Sequence, residues 1–85
     1  MRDWRNLIHI VVVTHYTQAD VDMADRHIAE GEQHIVRQEE LLSRLRMQSL
    51  PTSEAEKLLA IFNATMVEHR THRVAIIEAL KADGL

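Results

Sequence analysis

The chain has no cysteine, a single proline and two glycines in 85 residues, and aromatic residues make up only 4% of it. Without cysteine there is no disulfide, no thiolate metal ligand and no thiol nucleophile, a composition that fits a reducing cytoplasm. No Gly-rich phosphate loop is present, and serine occurs only at Ser43, Ser49 and Ser53, so no catalytic set is legible and an enzyme is not expected. A basic excess is missing too. The formal charge is -3 and the pI about 6.0, with Lys and Arg interleaved among acids, which speaks against a nucleic-acid partner. The longest apolar run, Leu7 to Val13 interrupted by His9, is far short of the roughly 20 residues a membrane helix needs, so no membrane partner is expected.

What the chain does have is aliphatic residues in stripes. Hydrophobic residues reach 46%. In the first half Val21, Ala24, Ile28, Gly31, Ile35, Gln38, Leu42 and Leu45 follow one another at spacings of three and four, the pattern of a helix burying one narrow seam against another helix. Beyond Pro51, Leu59, Phe62, Met66, His69, Arg73, Ile76 and Leu80 repeat the pattern, with Ala55, Leu58, Thr65 and His72 flanking it. Thr17 is placed to cap the first helix, with Asp20, Asp22 and Asp25 near its positive end and Arg44 and Arg46 near its negative end. Leu50 precedes Pro51 and is disfavoured as helix, and Ser53 with Glu56 has the spacing of a capping box for the second helix.

The expected fold is all-α, a two-helix antiparallel hairpin. The expected division is an N-terminal arm or tail over 1–16 and a hairpin over 17–85, with helices over about 18–48 and 54–83 and a turn at 49–53. Folding back about Pro51 sets Leu42 against the region of Ala60, Ile35 against Val67 and Gly31 against Thr71. Small chains bury a modest fraction of their surface alone, so a homodimer forming a four-helix bundle is expected. The candidate interface residues are Val21, Ile28, Ile35, Leu42, Leu45, Leu59, Phe62, Met66, Ile76 and Leu80. The apolar run Leu7 to Val13 sits at the lower limit of a signal-peptide core, with Thr17-Gln18-Ala19 a poor cleavage site. It is read instead as a short strand or an extended arm laid on the bundle, with a disordered tail as the other reading.

Four histidines are the one constellation with chemistry. In the register above His34 comes level with His69, with His72 one turn from His69 and His27 one heptad before His34. Neutral imidazoles at such spacings bind Zn, Ni or Cu, and Glu30 and Glu68 are placed to complete or orient the set. The Glu-x-x-His repeat of carboxylate-bridged di-iron bundles is absent, since Glu32 leads to Ile35 and Glu68 to Thr71. The plainer reading, which carries more weight, is of amphipathic histidines at the seam edge, hydrogen-bonded to glutamates or the facing helix, and no cofactor is expected. His69 and Arg73 also fit polar register devices, or groups that titrate near neutral pH and loosen a dimer in acid.

The stretch Asp20-Val21-Asp22-Met23-Ala24 with Arg26-His27-Ile28-Ala29-Glu30-Gly31-Glu32, and later Leu58-Leu59-Ala60 with His69-Arg70-Thr71-His72-Arg73, resembles short helical-hairpin proteins common in α-proteobacteria. The resemblance covers about residues 19 to 80 and leaves the first sixteen outside it. It implies a bacterial cytoplasm and no mechanism. The leading expectation is a non-catalytic interaction or adaptor module. The rivals are metal binding or sensing through the histidines, and a subunit of a larger helical assembly docked through Leu41, Val36 and Met47 with Ile61 and Ile77.

Overall fold

The computed structural model describes residues 16–83, and they form two antiparallel helices, α1 over Gln18–Met47 and α2 over Ser53–Ala82. Among the described residues there is no strand. The expected arm, 1–15, lies outside the described residues. Its last expected member, Tyr16, does not: it is half-buried and packs on a cluster formed by Val21, Ala24 and Ile76. Tyr16 stands just before the cap and Val21 is the fourth helical residue, the arrangement of a hydrophobic staple that fixes how the chain enters a helix. At the cap itself the Asp20 carboxylate accepts the Thr17 amide at 2.8 Å and the Thr17 hydroxyl at 3.3 Å.

The other end of α1 closes in a Schellman motif. The Leu50 amide donates to the Leu45 carbonyl at 2.9 Å and the Ser49 amide to the Arg46 carbonyl at 3.1 Å, which satisfies two carbonyls that the helix leaves free. This wrap needs a left-handed residue, and Ser49 supplies it at φ 56°. The expected Ser53/Glu56 capping box does not form. Thr52, one residue earlier, is the N-cap; its backbone is already near-helical at φ -116° and ψ -5°, its carbonyl accepts the Glu56 amide at 2.9 Å, and no side chain caps the end.

Both stripes face inward. Val21, Ala24, Gln38 and Leu42 of α1 are buried with Met66 and Ile76 of α2, and the remaining stripe positions are half-buried. The ten candidate interface residues are thus all wholly or partly covered within a single hairpin. Among the described residues the core is small. Ile76, 1% exposed, is its most enclosed large side chain, and burying a side chain of that size contributes about 1.5–3 kcal/mol.

The axial register differs from that expected from Pro51. Gly31 faces Met66, not the region of Thr71, and a Cβ on Gly31 would come within 2.6 Å of the Met66 methyl. His34 stacks on Phe62 with ring centres 5.5 Å apart, and His69 lies against His27, so the predicted His34/His69 pairing is not made. The reason is local: a chain reversal wound on Ser49 begins before the proline and slides α2 by about a turn and a half relative to a fold centred on Pro51.

Candidate functional site

The two flanks of the seam differ in chemistry. With 3.6 residues per turn, Asp25 and Glu32 fall on one side of the Ile28–Ile35 line and His27 and His34 on the other. The first flank is ionic. Arg70 pairs with Glu32 at 3.1 Å, Arg73 with Asp25, and Arg46 with Glu56 at 3.3 Å near the turn, so three ion pairs stitch α1 to α2 along one edge. All three are well exposed, and exposed pairs are typically worth less than about 1 kcal/mol each.

The opposite flank opens into a groove of about 260 Å³, bounded on α1 by His27, Glu30, Gly31 and His34 and on α2 by Ile61, Phe62, Thr65, Met66 and His69. Its floor exists because Gly31 has no side chain: the Met66 thioether fills the space a Cβ would need, and the His69 ring edge lies 4.0 Å from the same point. Two aromatic pairs frame it. His34 stacks on Phe62, and His27 and His69 sit 5.4 Å apart at a tilt of 41°. On the same flank Met23, Leu58 and Ile61 are 44%, 41% and 59% exposed.

The four candidate metal ligands therefore do not converge. His27 and His69 come together, His34 is engaged with Phe62, and His72 lies edge-on to Tyr16 with ring centres 6.1 Å apart. Among the described residues no three His, Asp or Glu side chains gather closely enough to share one metal ion. Arg73, read from the sequence as a seam-edge register device, is paired with Asp25 on the ionic flank. The second apolar stripe is not one surface either: Ile61 lines the groove, Ile77 packs on the Val21/Ala24/Ile76 cluster, and Val36 lies on α1 among Ala29, Glu32, Gln33 and Arg37, toward the ionic flank.

Two features escaped the sequence reading. One is Tyr16, whose position next to a capping Thr and five residues before Val21 was the available signal. The other is the gathering of the interhelical ion pairs on one flank and of the groove on the other, since that depends on which arginine reaches which carboxylate across the seam.

No protein-family model, curated protein or solved structure matches the chain. Its site is interpretable only through its own geometry. Among the described residues no helix is long and apolar enough to cross a membrane.

Proposed function

We propose that the protein is a non-catalytic, cytoplasmic interaction module that pairs with a second copy of itself into a four-helix bundle through the grooved flank. The observation that supports this most is the sidedness of the hairpin. One flank carries the ion pairs Arg70/Glu32, Arg73/Asp25 and Arg46/Glu56, while the other opens into the groove, with Met23, Leu58 and Ile61 exposed beside it. Exposed Val36, Val67 and Val74 lie toward the ion-paired flank, where Val36 borders Glu32, and carry charged neighbours in place of a groove. A core of five apolar residues is slight for two helices of 30 residues each, and a second apolar seam is how helical hairpins of this size are commonly stabilised. The groove also pairs a hydrogen-bond acceptor, Glu30, with the imidazoles of His27 and His34 on the same helix, groups that a two-fold contact can match with their own copies.

Light scattering across a dilution series tests the pairing. Two chains per particle are expected, with dissociation and loss of helicity coupled on dilution. Ile61→Asp should give monomer, whereas Val67→Asp, on another surface, should leave the dimer intact. A folded monomer at all concentrations, or equal disruption by both changes, rules the reading out.

A further inference from the structure

We propose that His27 and His69 form a two-imidazole clip for a borderline divalent cation such as Zn²⁺, tying α1 to α2 at the edge of the groove. The two rings come from different helices, across the seam, and lie 5.4 Å apart. Two imidazoles on one tetrahedral zinc, each bonded at about 2.0–2.1 Å, hold their ring centres roughly 5 Å apart, so the native spacing already matches shared coordination. Rotation about the terminal side-chain bond exchanges which ring nitrogen faces the ion without moving either helix. His69 is half-buried and held beside Gly31 and Met66, while His27 is exposed. One ligand is thus anchored and the other free to adjust. Glu30 lines the same groove and adds negative charge to its wall.

The clip supplies two protein ligands, and the remaining coordination positions fall to water at the edge of the groove or to a side chain of a second copy seated on it. His34 lies against Phe62 and His72 against Tyr16, and among the described residues neither gathers with His27 and His69 into a set of three ligands. The clip does not depend on dimerisation, since both ligands belong to one chain.

The test uses the full chain, stripped with chelator and titrated with zinc chloride. The unfolding midpoint should rise by several degrees near neutral pH, and added chelator should reverse the rise. His27→Ala should abolish the rise and His34→Ala should leave it. Because His69→Ala also removes packing, the second readout is imidazole nitrogen NMR of the unaltered chain. The His27 and His69 rings should shift together while those of His34 and His72 stay in place. No rise in midpoint, a rise that survives His27→Ala, or first movement of His34 or His72 would each overturn the clip.

Discussion

Gln38 reaches from α1 across the seam and donates its side-chain amide to the backbone carbonyl of Ala55 at 3.0 Å, in the first turn of α2. Gln38 is the one buried polar residue among those described, and no buried side-chain nitrogen or oxygen there lacks a partner. A polar group in an otherwise apolar stripe costs stability unless satisfied, and once satisfied it fixes which turns of two helices lie side by side.

Replacing Gln38 separates those two roles. Gln38→Ala loses the hydrogen bond and leaves a void, and should cost about 1–2 kcal/mol in urea unfolding. Gln38→Leu keeps the volume, and the Ala55 carbonyl can still accept a bond within its own helix. Its cost should stay below about 1 kcal/mol, while the sharpness of amide NMR signals near the turn declines as the register loosens.

Ser49 holds a backbone geometry that favours glycine. Ser49→Gly should therefore stabilise the hairpin by about 0.5–1 kcal/mol, read as a higher thermal midpoint, and Ser49→Val should destabilise it by more than that. An unchanged midpoint in the glycine variant would mean that the turn is not wound as described.

Gly31 offers a size series. A methyl group there meets only the far end of the flexible Met66 side chain, which has the groove to move into, and alanine is favoured over glycine within a helix by about 1 kcal/mol. Gly31→Ala should be neutral or stabilising in thermal unfolding. Gly31→Val should instead overpack the seam and cost about 1–3 kcal/mol. A large loss already at alanine would mean that Met66 cannot yield.

The seam was legible in the sequence almost residue by residue, because which side of a helix is buried depends only on the period of its apolar positions. Val21, Ala24, Gln38 and Leu42 are buried where the ladder put them, and Gly31 and Ile35 lie between them half-covered. How far one helix slides along the other was not legible. That displacement is set by the few bonds around Ser49, and Pro51, the visible landmark, follows the reversal rather than causing it. The histidine cluster inherited the error: a slip of about a turn and a half moved His69 from His34 to His27. The capping box failed for a similar reason, since helical geometry begins at Thr52 and Ser53 is already inside the helix.

The Val21/Ala24/Ile76 cluster sits at the end of the hairpin farthest from the turn, and this bears on the order in which the molecule closes. Contacts near the reversal, such as Arg46 with Glu56, span ten residues of chain, whereas Arg73 with Asp25 spans 48. Closing the longer loop costs about 1.4 kcal/mol more in chain entropy. A hairpin with uniform packing would therefore fray from its open end. Here the most enclosed side chain, Ile76, lies near that end with Tyr16, Ile77 and Leu80 around its cluster, so the molecule is fastened like a clasp where entropy would otherwise unzip it first.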